Sequence, residues 1–128
     1  MRVTILESQP MDSSKAEVRF GSPFGEALAR WASGAPEVHG VYDVELNVSE
    51  RVEWARTGIV VDGGTPSITM TPEGVRFCGT LDNVDEDGVV ALRLGSSLML
   101  LESVGEPPPV GSSVCVTVKE VELYAYET

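Results

Sequence analysis

Histidine and cysteine are scarce in this chain, and their scarcity excludes several kinds of site. Among 128 residues there is one histidine, His39, and there are two cysteines, Cys78 and Cys115. A catalytic triad or a Cys–His pair would have to use His39, which lies in "APEVHGVY" with no nucleophile motif beside it. Two separated cysteines and one histidine also lack the spacing of a zinc ligand set. We therefore predict no catalytic residue, no metal site, no cofactor and no enzymatic activity.

Long apolar runs are also missing from the sequence. No run approaches the ~20 residues that cross a membrane, and the apolar stretch between Arg2 and Glu7 is too short for the core of a signal peptide. We therefore expect a cytoplasmic protein that binds no membrane. A cytoplasmic chain of this size needs no disulfide, so Cys78 and Cys115 are expected to be free thiols.

Basic residues are few, because nine Lys and Arg face twenty Asp and Glu and the net charge is −11. Such a charge opposes binding along a phosphate backbone, so we expect no nucleic-acid partner. It suits a protein partner with a basic face, since complementary charge speeds and steers association. The same charge would also arise from a need for solubility alone, and the composition leaves both interpretations open.

Alternation of apolar and polar residues is what the sequence has in abundance. In "GVYDVELNVSERVEW" apolar side chains recur at every second position, a pattern typical of strands with one face on the core. At ~3.3 Å per residue this run is too long for one strand, so a bend or break is expected near Ser49–Glu50. The last apolar residues change parity after Val118, which predicts a change of register near Lys119–Glu120.

One segment has a helical pattern instead. In "GSPFGEALARWASGAP", Ser22 can cap a helix and Pro23 suits its first position. Leu28 and Trp31 then fall on one face at helical spacing. The pattern predicts one short amphipathic helix near residues 23–33 that covers a β core.

The segment "VRFCGTLDNVDEDGVVALRLGSSLMLLESVGEPPPVGSSVCVTVKEVELY" resembles the strand order of an OB-type barrel. A strand containing "GTL" turns into "GVVALRLG", a third strand follows, and "PPVG" leads into a closing strand. The chain is also similar to small acidic bacterial immunity-type proteins, which neutralise partner toxins. The resemblance covers about the last two-thirds of the chain and implies a small β-barrel that binds protein.

The predicted fold is mainly β. We expect a small OB-like β-barrel of about seven to nine antiparallel strands, with the short helix at residues 23–33. The length fits a single domain, residues 1–128. Residues 1–39 are expected to form a strand and helix segment packed on the barrel, and residues 40–126 the barrel itself.

Exposed carboxylates and tyrosines are the candidate binding residues. The stretch "DNVDEDG" fails the ligand spacing of a calcium loop and is better interpreted as a hairpin with an acidic tip. Tyrosines beside glutamates near residue 124 form a predicted exposed strip, and tyrosine is enriched where partners dock. The candidate partner-binding residues are Asp43, Glu45, Glu53, Asp82, Asp85, Glu86, Asp87, Glu120, Glu122, Tyr124 and Tyr126.

Two classes of function remain open from the sequence. The first is a non-enzymatic protein-binding module, an acidic immunity or inhibitor protein whose partner is a basic protein such as a toxin. The second is a β-barrel that binds a small apolar ligand, or a structural homo-oligomer such as a homodimer. An acidic mimic of DNA is a variant of the first class.

Overall fold

The fold of this protein is built from β-strands. The computed structural model describes residues 1–11, 15–32, 34–56, 58–60 and 64–126, and over these ranges it contains strands and no helix. In this part of the chain, no helix has the length and apolar character needed to cross a membrane. The strands are β1 (Arg2–Pro10), β2 (Ala16–Ser22), β3 (Gly25–Trp31), β4 (Val41–Asn47), β5 (Val52–Glu53), β6 (Gly58–Val60), β7 (Ser67–Thr71), β8 (Gly74–Val84), β9 (Val89–Leu94), β10 (Ser97–Val104), β11 (Ser113–Val118) and β12 (Glu122–Ala125). The predicted mainly β fold is confirmed.

The strands form a closed barrel and a separate sheet. The barrel has five strands in the order β1-β2-β3-β12-β4, and β4 pairs with β1. The second sheet has seven strands in the order β5-β10-β9-β8-β11-β6, with β7 paired to β8. The described residues thus contain twelve strands rather than seven to nine, and one of the twelve, β3, replaces the predicted helix. Two strand pairs, β10–β5 and β12–β3, are parallel, so the prediction of antiparallel strands only is wrong for these pairs.

The helix predicted at residues 23–33 is replaced by β3, and Ser33 lies outside the described residues. Ala27, Ala29 and Trp31 are buried, while Leu28 between them is 41% exposed. The apolar residues of this stretch fit both the helical period of 3.6 residues and the strand period of two. Pairing with the whole length of β2 stabilises the strand. Ser22 does not cap a helix, because its hydroxyl donates to the carbonyl of Gly25 (2.9 Å) within a hairpin turn.

The two predicted irregularities are confirmed as breaks between the sheets. The run from Tyr42 to Trp54 leaves the barrel after Asn47 and resumes as β5 in the seven-stranded sheet. The run at the end of the chain leaves that sheet after Val118 and resumes in the barrel as β12. Apolar residues change from even to odd positions there because β11 and β12 belong to different sheets, and each strand directs its own apolar face to the core.

One apolar cluster joins the barrel and the sheet. Ile5, Phe20 and Leu123 fill the barrel, and Phe77 and Leu81 lie under the sheet, all at 0% exposure. Each such side chain contributes about 1.5–3 kcal/mol by leaving water. Strands β1, β2 and β3 are part of the barrel wall, although the sequence predicts them as a segment packed on a barrel. The single-domain organisation stays a prediction.

A disulfide joins the two cysteines, so the expectation of free thiols is wrong. Cys78 on β8 and Cys115 on β11 are directly opposite in the antiparallel register, and their sulfur atoms are 2.10 Å apart. The two residues are 37 positions apart in the sequence, and only the strand register brings them together. Their side chains lie on the face of the sheet opposite Val114 and Val116, which face the core.

Candidate functional site

The pairing of β12 with β4 brings two predicted groups of residues onto one face of the barrel. Tyr124 lies directly opposite Glu45, and the amide of Tyr126 donates to the carbonyl of Asp43 (2.9 Å). Glu122 is two residues before Tyr124 on the same side of β12. We call Asp43, Glu45, Glu122, Tyr124 and Tyr126 the tyrosine–carboxylate face. Tyr124 and Tyr126 are 46% and 58% exposed.

Strand periodicity explains why these side chains face water. On β4, Val44 and Leu46 point into the barrel, so the alternate residues Asp43 and Glu45 point outward. On β12, Leu123 is buried at 0% exposure, which sends Tyr124 outward. The tyrosines expose an amphipathic ring with few rotatable bonds, a property that favours contact surfaces.

Cations hold part of this face only loosely. Arg2 contacts Asp43 (3.4 Å) and Lys15 contacts Glu122 (3.3 Å). Both pairs are solvent-exposed or partly so, and such ion pairs contribute ~0–1 kcal/mol. Glu45 has no ion pair among the described residues. A lysine or arginine from a partner could therefore displace these cations or bind Glu45 at little cost.

Glu120 is the remaining residue of the predicted strip of tyrosines and glutamates, and it lies two residues before β12 begins. Its carboxylate accepts a hydrogen bond from Arg30 on β3 (2.8 Å), and its side chain is exposed. The structure therefore places Glu120 at the border of the tyrosine–carboxylate face and not among its central residues.

The acidic turn belongs to the other sheet. It connects β8 to β9, where the amide of Gly88 donates to the carbonyl of Asp85 (3.1 Å). Asp85 also accepts the amide of Glu86 at Oδ1 (2.9 Å), which fixes the predicted hairpin. Asp85, Glu86 and Asp87 are exposed, while the carboxylate of Asp82 pairs with Arg93 (3.2 Å).

Glu53 lies at the same end of the seven-stranded sheet as the acidic turn. It is opposite Val104 on β10, and the neighbouring Ser103 donates its amide to the carbonyl of Gly88 in that turn (2.9 Å). Glu53 itself contacts Arg56 (3.2 Å). The eleven predicted residues therefore form two groups, one on the barrel and one at the end of the sheet.

A groove of about 320 Å³ lies between the barrel and the first residues of β10. Glu45, Leu46 and Tyr126 line it from the barrel, and Ser97 and Leu98 line it from β10. Strand β10 then runs from this groove to Ser103, beside the acidic turn. It therefore connects the tyrosine–carboxylate face with the second acidic group.

Two leucines of β10 are functional candidates that the sequence does not reveal. Leu98 and Leu100 are 57% and 62% exposed. The alternate residues Met99 and Leu101 are each 1% exposed. In "SSLMLLE" the four apolar residues are consecutive, so the run reads as a strand buried on both faces. Only the folded structure shows that one face of the run meets water.

Among the described residues, the single histidine belongs to no group of potential metal ligands. His39 is exposed, and its amide donates to the carbonyl of Ile5 (2.6 Å) in the loop before β4. Within the described ranges, no three His, Cys, Asp or Glu side chains are grouped so that they could hold a metal ion. The site is thus a surface of carboxylates, tyrosines and exposed leucines.

Comparison of the chain with known protein families, characterised proteins and solved structures finds no match. The function is therefore inferred from the residues and their geometry.

Proposed function

We propose that this protein is a non-enzymatic binding module, an acidic immunity- or inhibitor-type protein whose partner is a basic protein such as a toxin. The observation that carries the proposal is the tyrosine–carboxylate face. Residues from β4 and β12, far apart in the sequence, meet there as an exposed surface with Tyr124 opposite Glu45. The net charge of −11 extends the same polarity over the molecule.

The chemistry of this face suits a basic protein better than a small metabolite. Carboxylates attract lysine and arginine over a distance set by the salt concentration, and they raise the rate of encounter. Tyrosines add apolar contact area near the centre of such a surface. Because the face lies on a barrel wall, its residues are held in place before binding, and less ordering entropy is lost.

The alternative of a small apolar ligand has less support. Ile5, Phe20 and Leu123 occupy the barrel interior at 0% exposure, where such a ligand would sit. One feature supports including an OB-like barrel in the proposal: the closed barrel has five strands, as an OB-fold has. The resembling segment contributes β12 alone to that barrel.

The proposal is tested by capture with paired variants. Tagged protein is incubated with lysate of its source organism at low and high salt, and bound proteins are identified by mass spectrometry. We expect a basic partner whose capture falls at least ~tenfold for Glu45→Lys and for Tyr124→Ala, since both remove central contacts. High salt should weaken capture by the unchanged protein.

The matched control is Glu73→Lys, which changes the net charge by the same amount. Glu73 is exposed in the turn between β7 and β8 and lies outside the tyrosine–carboxylate face. Capture by this variant should stay within about twofold of the unchanged protein. Equal loss with both glutamate variants would mean that only net charge matters, and the proposed face would be rejected. A co-purifying small molecule in the intact mass would favour the ligand-binding alternative.

A further inference from the structure

Strand β10 has one edge that is largely unpaired. Its other edge pairs with β9 from Ser97 to Glu102, and β5 reaches only Ser103 and Val104. From Ser97 to Leu101, no strand of the described part of the chain pairs with the open edge. A row of unpaired backbone groups of this kind can accept a further strand.

The hydrogen bonds at the end of β10 show which residues direct their backbone to that edge. The amide of Ser103 donates to Gly88 (2.9 Å), on the side of β9, and the carbonyl of Val104 accepts from Trp54 (3.1 Å), on the side of β5. Backbone groups alternate between the two edges along a strand. The N–H and C=O groups of Leu98 and Leu100 therefore point to the open edge.

Nothing in β10 protects this edge in the usual way. Natural sheet proteins block open edges with lysine, proline, a bulge or a covering loop. Here the segment from Ser97 to Leu101 pairs regularly with β9 and contains neither lysine nor proline. Leu98 and Leu100 add exposed apolar side chains along the same stretch. The edge has the chemistry of a template for another strand.

Charge indicates what kind of strand fits. Glu45 and Tyr126 line the groove at the start of β10. Glu102 is exposed at the other end of the unpaired stretch, where it forms a solvent-exposed ion pair with Arg51 (3.7 Å). A second copy of this chain would bring those carboxylates and a second charge of −11 against the first. An extended segment that carries lysine or arginine would instead pair with Glu45 and would displace Arg51 from Glu102, since an exposed ion pair of this kind contributes only ~0–1 kcal/mol.

We propose that the open edge of β10 binds an extended basic segment of the partner as an added β-strand. The backbone groups of Leu98 and Leu100 supply the hydrogen bonds, and their side chains contact alternate apolar residues of the segment. Glu45 and Glu102 select cationic residues at its two ends. This inference rests on the proposed function and specifies how the basic partner is held.

Amide hydrogen exchange of the whole protein, followed by NMR, tests the inference residue by residue. In the free protein, Met99 and Leu101 are bonded to β9 and should exchange at least ~100-fold more slowly than Leu98 and Leu100. The probe is a short blocked peptide of alternating lysine and valine. With this peptide at saturation, the amides of Leu98 and Leu100 should slow by at least ~tenfold, with little change at Val114 on β11.

A matched peptide separates strand pairing from charge attraction. It has the same residues, but alternate amides on one edge are N-methylated, so its charge and side chains stay while its donors are lost. This peptide should bind at least ~tenfold more weakly. Equal binding of both peptides, or no slowing at Leu98 and Leu100, would overturn the inference.

The two proposals can fail separately. If Glu45→Lys abolishes partner capture while Leu98 and Leu100 stay unprotected in the complex, the proposed function stands and the added strand is rejected. If capture is insensitive to Glu45→Lys, the proposed function fails first. A concentration-dependent dimer with slowed exchange at Leu98 and Leu100, measured without peptide, would assign the edge to a second copy and would also overturn the inference.

Discussion

At the scale of single residues, His39 adopts an unusual backbone conformation. Its φ is 69°, in the left-handed region, and it is the one non-glycine residue of the described chain with a positive φ. This conformation costs roughly 1–2 kcal/mol for an L-residue with a Cβ atom. We expect His39→Gly to raise the free energy of unfolding by about 1 kcal/mol in urea denaturation. His39→Ala keeps the Cβ atom and is the control, so an equal gain from alanine would contradict the backbone explanation.

Gly79 is a second residue whose identity is set by its neighbours. It lies inside β8, and a Cβ atom at this position would be 2.3 Å from the carbonyl oxygen of Arg93 on β9. Backbone on an adjacent strand cannot move aside without disturbing the pairing. We expect Gly79→Ala to lower the free energy of unfolding by about 2 kcal/mol or more, measured by thermal or urea denaturation.

Gly21 on β2 provides the comparison for Gly79. A Cβ atom there would meet the nearest atom, Cδ1 of Leu6, at 3.5 Å, an ordinary contact. Gly21→Ala should therefore leave stability unchanged within about 0.5 kcal/mol or raise it slightly. Similar losses at both positions would mean that the close approach of β9 to β8 is not the cause.

At the scale of elements, the disulfide fixes the pairing of β8 with β11. The bond joins residues 37 positions apart, and a loop of that length predicts a stabilisation of about 4 kcal/mol from the restricted unfolded chain. We expect reduction, or the double change Cys78→Ala and Cys115→Ala, to shift the urea midpoint by a corresponding amount. The reducing agent should have no effect on the double variant. A shift in that variant on adding the reducing agent would show an effect unrelated to the bond.

The strand breaks were predictable from the sequence, and the strand partners were not. A run that alternates for too long must break near Ser49–Glu50, and a parity change requires a break near Lys119–Glu120, so local physics suffices for both. The segment at Gly25–Trp31 fits two periods, and only pairing with β2 chooses between them. Contacts between distant segments thus decide the elements whose local pattern is ambiguous.

At the scale of the whole molecule, the candidate site was only half predictable. Alternation along each strand identifies Glu45 and Tyr124 as solvent-facing, because Val44 and Leu46 beside Glu45 and Leu123 before Tyr124 are buried. Their meeting depends on β12 joining the barrel beside β4, which no local pattern indicates. The exposure of Leu98 and Leu100 depends likewise on the tertiary structure, because only one face of β10 packs on the core and four consecutive apolar residues do not show which face that is.

The disulfide also bears on where the molecule works. Such bonds persist in oxidising compartments and are rare in the cytoplasm, where thiols are kept reduced. The cytoplasmic location stays a prediction, and it implies that Cys78 and Cys115 react with an alkylating reagent in acid-quenched cell extracts before any reduction. Reaction only after reduction would assign the protein to an oxidising compartment.

The position of β12 imposes an order on how the chain folds as it is synthesised. This strand lies between β3 and β4, yet it follows the entire seven-stranded sheet in the sequence. The emerging chain can pair β1 with β2 and β4, and β2 with β3, but the gap between β3 and β4 stays open until residues 122–125 leave the ribosome. From the synthesis of β4 until that of β12, the nascent barrel therefore exposes apolar side chains and two strand edges, and such exposed surfaces are what chaperones bind.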